Sequence, residues 1–293
     1  MSPAPIAVFG YRRPRHLRRV VDALVAEPEA GDSELILFLD GSKGAADRKD
    51  VAAVRTLAGE IRGFRSIRIH AAEQNLGLAR SISEGVSKVC REHGRAIILE
   101  DDVVPVGGFL SFMNEALEKY QEEPQVMQVS GYAYPFESAP STHAFLPLTS
   151  CWGWATWQRA WESLKWDAAA AQSDLADPDF VRRLNLEGAY PYDRLLRDVV
   201  EGKSDSWGVI WYWHVFRKHG LTLFPSISLV ENIGWDGSGE HAVPTWTNGP
   251  VVSRTPGKAL WPREVRIDKT TLKAIETMLK GKAGHLASGR HRS

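Results

Sequence analysis

Five short apolar stretches, at 6–10, 34–39, 66–70, 96–99 and 126–130, are separated in the first 130 residues by segments of helical periodicity. Strands spaced by helices predict an α/β fold with a doubly wound, mainly parallel sheet, because a crossover helix returns the chain to the same end of the sheet. Leu17, Val20, Val21, Leu24 and Val25 form one apolar helical stripe behind Pro14, a favoured first helical residue. Further helices are expected near 45–61, 78–90 and 108–120. In such sheets ligands bind at the carboxyl ends of the strands. That rule gathers Gly10, Tyr11 and Arg13, then Asp40, then Glu100, Asp101 and Asp102 onto one rim.

Beyond residue 130 the pattern loosens, and all eleven tryptophans lie after residue 150, from Trp152 to Trp261. We therefore read one fused domain with two functional halves, 1–130 and 131–262, and a basic tail over 263–293. Trp157, Trp161, Trp211 and Trp213 have core spacings, whereas Trp152, Trp154 and Trp207 adjoin turns. Lys plus Arg equals Asp plus Glu at 36 each. This balance argues against a nucleic-acid partner, which calls for a basic excess. Two cysteines build no disulfide framework and suit a reducing compartment. No apolar run approaches the roughly 18 residues of a membrane span. The expectation is a cytoplasmic protein, with the basic tail available for peripheral contact with anionic lipid at the inner membrane face.

Three consecutive acids after an apolar strand repel one another unless something neutralises them. A divalent cation carried in by a diphosphate would do so, since Mg²⁺ or Mn²⁺ takes one or two protein carboxylates plus phosphate oxygens. The plainer reading is a solvated loop ahead of the next helix.

The segment AIILEDDVVP resembles the acidic metal motif of nucleotide-sugar-dependent glycosyltransferases of the GT-A fold. AVFGYRRPRHLRRVVDAL, LFLDGS, NLGLARSISEGV, CWGWATWQRAWE and NIGWDGSGEH resemble further blocks of those enzymes, in the same order, between about residues 5 and 241. Order and spacing are most similar to bacterial family 2 type transferases of surface polysaccharide synthesis. They also resemble the inverting N-acetylglucosaminyltransferase that begins complex N-glycan branching.

The resemblance implies that Arg13 holds the diphosphate or base, with Gly10 and Tyr11 beside it. Asp40 would accept a hydrogen bond from the nucleobase, and Arg80 would lie near the nucleotide. Asp102 would ligate Mn²⁺ or Mg²⁺, with Asp101 on the ribose or donor sugar and Glu100 on sugar hydroxyls. Asp205 would be the general base, and His241 would reach the metal or diphosphate. Trp152, Trp154 and Trp207 are the acceptor candidates, because sugar rings stack on aromatic faces. Where the N-glycan enzyme has a nucleotide-contacting histidine, this chain has Ser81.

Each position also has a bland reading: Asp205 a helix cap, Asp40-Gly41 a plain turn, Arg13 a surface charge, and His241 a structural residue. The implied activity is inverting transfer from a nucleoside-diphosphate sugar, UDP favoured, to a glycan or lipid-linked glycan. The alternatives are a sugar-1-phosphate nucleotidyltransferase, a glycosidase with two separated carboxylates, and a non-catalytic carbohydrate-binding protein. The nucleotidyltransferase calls for a glycine-rich loop where this chain has GYRRPRH.

Overall fold

A computed structural model describes residues 2–136, 140–236 and 259–289. In chain order it contains β1 (Ile6–Gly10), α1 (Pro14–Val25), β2 (Glu34–Leu39), α2 (Arg48–Glu60), β3 (Ser66–Ala71), α3 (Leu78–His93), β4 (Arg95–Glu100) and β5 (Val103–Pro105). There follow α4 (Phe109–Lys119), β6 (Val126–Ser130), β7 (Ala144–Leu146), β8 (Trp154–Trp157), α5 (Gln158–Trp161), α6 (Ala168–Asp174) and α7 (Pro178–Leu184). The last elements are α8 (Tyr192–Val200), α9 (Trp207–Arg217), β9 (Leu221–Phe224), β10 (Val230–Asn232) and α10 (Lys269–Gly289).

The expected doubly wound sheet is present. Eight strands run in the order β3-β2-β1-β4-β8-β6-β9-β7. β1 to β4 are mutually parallel, and only β8 and β7 run against the rest. Alternate residues of each strand feed opposite faces. Ile6 and Val8 join Leu17, Val54 and Phe109 under α1, α2 and α4, while Ala7 and Phe9 join Ile82, Val86 and Trp211 under α3 and α9. Burial on both faces is why β1 and β4 read as unbroken apolar runs. A third cluster, around Phe180, Leu196 and Trp213, joins α6 to α10 to the sheet edge.

Two departures bear on the site. The CWGWATW segment, which reads as the approach to a helix, supplies β8, and this strand inserts antiparallel between β4 and β6. The tryptophan-rich half thus lies in the middle of the sheet and packs directly against the acidic strand. The segment read as a basic tail forms α10, with Ile275 and Leu279 buried. Among the described residues no helix is long and apolar enough to cross a membrane.

Candidate functional site

The rim begins with Arg13, which follows β1 and immediately precedes α1. Its guanidinium pairs with Asp101 and, through Nη1 at 2.9 Å, with Asp102. One cation thus spans two neighbouring carboxylates, the geometry its planar fork suits. Burial works against the charge of Arg13, and the two acids overcome it, so its pKa is raised. Burial also pushes Asp101 up, with Arg13 opposing. Glu100 makes no ion pair among the described residues; burial, then the charges of Asp102 and Asp101, push its carboxyl up to about 8, with the charge of Arg13 opposing. The cluster is therefore under-neutralised by the side chains around it.

A short antiparallel pair, β5 with β10, brings residues 232–236 over these acids. The backbone N–H of Ile233 donates to the Asp102 carbonyl at 2.8 Å. Gly234 sits so close that a side-chain carbon there would overlap Asp102 Oδ2. His241, expected to close this loop, lies outside the described residues.

Asp40, expected to read the nucleobase, is buried just past the end of β2. Its Oδ1 accepts from the N–H groups of Gly41 and Leu76, each at 2.7 Å; Oδ2 accepts from Gly77 N and Asn75 Nδ2, each at 3.0 Å. Four bonds use the accepting capacity of a carboxylate. Asp40 thereby holds the Asn75–Leu76–Gly77 turn against the end of β2. Arg80 is 63% exposed and pairs with Glu84 along the same helix at 2.7 Å.

Asp47 does comparable work for the loop after β2, and sequence reasoning missed it. It accepts from Ser42 Oγ at 2.6 Å, Lys43 N at 2.9 Å, Gly44 N at 3.0 Å and the Tyr11 hydroxyl. These bonds, that from Ser42 foremost, hold its carboxyl far below the usual range. Burial and the Asp47 contact push the Tyr11 phenol up to about 12. The available signal was a run of turn formers, Gly41 to Gly44, closed by an acid at a helix start.

Asp205 is exposed and immediately precedes Ser206, the residue that opens α9. The first turn of α9 packs on Cys151: a side-chain carbon at Gly208 would approach its Sγ to 3.1 Å. Cys151 feels the charge of Glu100, and burial pushes its thiol well up. The segment carrying Asp205 thus abuts the neighbourhood of the acidic strand through a single residue.

Trp157, Trp161, Trp211 and Trp213, which have core spacings, are all buried. Trp154 is 1% exposed and packs among Trp161, Trp207 and Trp211, so it offers no face to an acceptor. Trp207 is partly buried and stacks on Trp154 at 5.5 Å between centroids. Trp152 heads another group. Its ring meets Tyr132 at 4.8 Å and Trp235 at 6.2 Å, and Tyr132 meets Tyr134 at 5.3 Å. Tyr134 shares a hydrogen bond with Tyr192, and Tyr192 lies within electrostatic reach of Cys151. This second aromatic wall is therefore largely tyrosine. Its signal was the alternating YAYPF segment, which reads only as loop.

Among the described residues no three His, Cys, Asp or Glu side chains gather in a way that could hold a metal by themselves. The donor set still fits a cation carried by a diphosphate, because one carboxylate suffices when phosphate and water complete the shell. Asp102 Oδ1 accepts no hydrogen bond from the described residues, whereas Oδ2 is engaged by Arg13.

No protein-family model and no curated protein matches the chain. Among solved structures it is similar to the mannosyltransferase PcManGT from Pyrobaculum calidifontis in complex with GDP-Man and Mn²⁺, with 13% identity, a TM-score of 0.42, and 74% of this chain and 75% of that chain covered. It is also similar to apo mouse xyloside xylosyltransferase 1, with 12% identity, a TM-score of 0.36, and 64% of this chain and 76% of that chain covered.

Proposed function

We propose that this chain is a metal-dependent, inverting glycosyltransferase of the GT-A type. It would move a sugar from a nucleoside diphosphate, UDP favoured, to a hydroxyl of a glycan or lipid-linked glycan. The observation that carries this reading is the under-neutralised acid cluster at the end of β4. It lies on the ligand-binding rim of a parallel sheet, spanned by a single arginine. A non-catalytic carbohydrate-binding protein accounts for the aromatics but not for three consecutive acids spanned by one arginine. The place in surface polysaccharide synthesis rests on the sequence resemblance.

In this reading transfer is one displacement, in which the acceptor oxygen attacks the anomeric carbon as the diphosphate leaves with its bonding electrons. Asp205 takes the acceptor proton; the adjoining N-terminus of α9 favours negative charge there, and such help is typically worth about 10²–10⁴-fold. Arg13 moves part of its charge from the two aspartates to the diphosphate, which gains charge in the transition state. A divalent cation held by Asp102 would supply further neutralisation of that leaving group. Gly10 and Tyr11 line the floor, and the Tyr132–Trp152 wall orients the acceptor.

Thermal unfolding with UDP, GDP, TDP and CMP, each with and without Mn²⁺, tests this. Ligand at about 100 times its dissociation constant stabilises by roughly 2.7 kcal/mol, several degrees for a domain of this size. A metal-dependent rise with one diphosphate, abolished by Asp102→Ala, is expected. No rise with any of them removes the donor site and the reading with it.

A further inference from the structure

On its inner side α1 is anchored: Leu17 and Val20 are fully buried in the core that also holds Val103, Val104 and Val230 of the β5–β10 pair. Its flank toward that pair carries cations at three-residue spacing. Arg13, at the helix cap, pairs with Asp101 and Asp102. His16 places Nε2 3.2 Å from Asp236 Oδ2, and Arg19 lies 3.6 Å from Glu231. Residues three apart on a helix are neighbours, so these contacts form a row along one side. Arg18, off this row, turns instead to Asp22 and to Glu60 of α2. Glu231 and Asp236 bracket a turn in which the Ile233 N–H reaches the Asp102 carbonyl and Gly234 lies against Asp102 Oδ2. β10 is three residues long and belongs to a two-stranded sheet, a pairing that is marginal by itself.

We propose that His16 and Arg19 are positioning residues. By holding Asp236 and Glu231 they fix the 232–236 turn over Asp102, and so set how well that carboxylate meets a divalent cation carried by a diphosphate. The clamp follows from the ion pairs; its consequence for the cation rests on the transferase reading. Both acids are about half exposed, and exposed pairs are worth up to about fivefold in an equilibrium constant. That is too little to decide whether the chain folds, and enough to decide how often a short ribbon opens. One helix then holds both parts of the site: the acids through Arg13, and the segment over them through His16 and Arg19.

Amide exchange at Ile233, followed on the whole protein without nucleotide or metal, reads the clamp directly. His16→Ala and Asp236→Asn should each raise that rate about threefold or more and leave the melting temperature within a few degrees of the parent. Arg19→Glu and Glu231→Arg should each do the same, and their combination should return the rate toward the parent's, because the pair is restored with its charges exchanged. Calorimetric titration with UDP, with and without Mn²⁺, reads the consequence. His16→Ala should weaken Mn²⁺-dependent UDP binding about threefold or more and leave metal-free binding within about twofold. An Ile233 rate unchanged in both His16→Ala and Asp236→Asn overturns the clamp, even where the parent binds nucleotide. Faster exchange with unchanged Mn²⁺-dependent affinity overturns the positioning role. Equal weakening with and without metal overturns it too, because it marks a general loosening. A parent that binds no nucleotide of the thermal series removes the transferase, and with it the cation at Asp102, while the exchange rates still decide the clamp.

Discussion

Asp40 and Asp102 look alike in the sequence, each an acid at a strand end, and the structure gives them opposite surroundings. Asp40 has every lone pair used by its own chain, whereas Asp102 keeps an oxygen that no described residue engages. Asp40→Asn keeps one acceptor oxygen for Gly41 and Leu76 but turns an NH2 toward the Gly77 N–H and the Asn75 amide, leaving donors without an acceptor. We expect a loss of about 2 kcal/mol or more in urea unfolding, with nucleotide affinity following only the fraction folded. Full stability with selectively weakened nucleotide binding would support the base-reading role. Asp205→Asn should leave the fold and the metal-dependent nucleotide shift intact and lower turnover by 10² or more. Weakened nucleotide affinity with near-normal turnover would remove Asp205 from the base role. His214 behaves differently from both. Burial, then Lys218 and Arg217, lowers its pKa from 6.5 to about 4, and its Nε2 lies 2.8 Å from Ser163 Oγ. A histidine depressed in the folded state contributes stability that is present above pH 6.5 and lost as pH falls toward 4. His214→Gln should therefore flatten unfolding free energy against pH across that window, by up to about 3 kcal/mol at its acid end. An unchanged slope would mean that His214 is not buried neutral.

At the scale of elements, periodicity located β1, β2, α1 and β6 well because parallel strands buried on both faces and one-sided helices leave strong patterns. What it missed depends on partners distant in the chain. β5 and β10 are three residues each, too short for a pattern, and exist because they pair with one another. β8 is hidden in a tryptophan-rich stretch whose alternation is masked by burial of all four of its residues. The acid motif was legible because it ends a recognisable strand; the Tyr132–Tyr134–Tyr192 wall was not, because its members meet only through the fold. The β5–β10 pair carries a prediction of its own. Gly234→Ala should displace the Asp102 carboxylate and lower metal-dependent nucleotide binding at least tenfold, while the melting temperature, held by the larger core, changes by a few degrees at most. Wild-type binding by Gly234→Ala would show that the 232–236 loop yields freely.

The whole molecule is a sheet whose spatial order departs from its chain order. β4 finds its second neighbour in β8, while β6 pairs only with β8 and β9. A fragment ending at residue 150 has β1 to β4 but leaves β6 with no partner and β4 with an open apolar edge, a template for aggregation. We expect that fragment to be insoluble or bound to chaperones, whereas the full chain is soluble and monodisperse by size-exclusion chromatography. A soluble, cooperatively unfolding fragment would show that the two halves are separable.

The same strand order bears on how the protein is made. Residues leave a ribosome at roughly 5–20 per second, and β9 follows β6 by about ninety positions. β8 arrives sooner and covers one edge of β6, so for roughly 5–18 s the nascent chain holds β6 with its other edge open. Slow translation through the tryptophan-rich stretch would lengthen that exposure, so expression yield should depend more on codon speed between residues 130 and 220 than anywhere else in the gene.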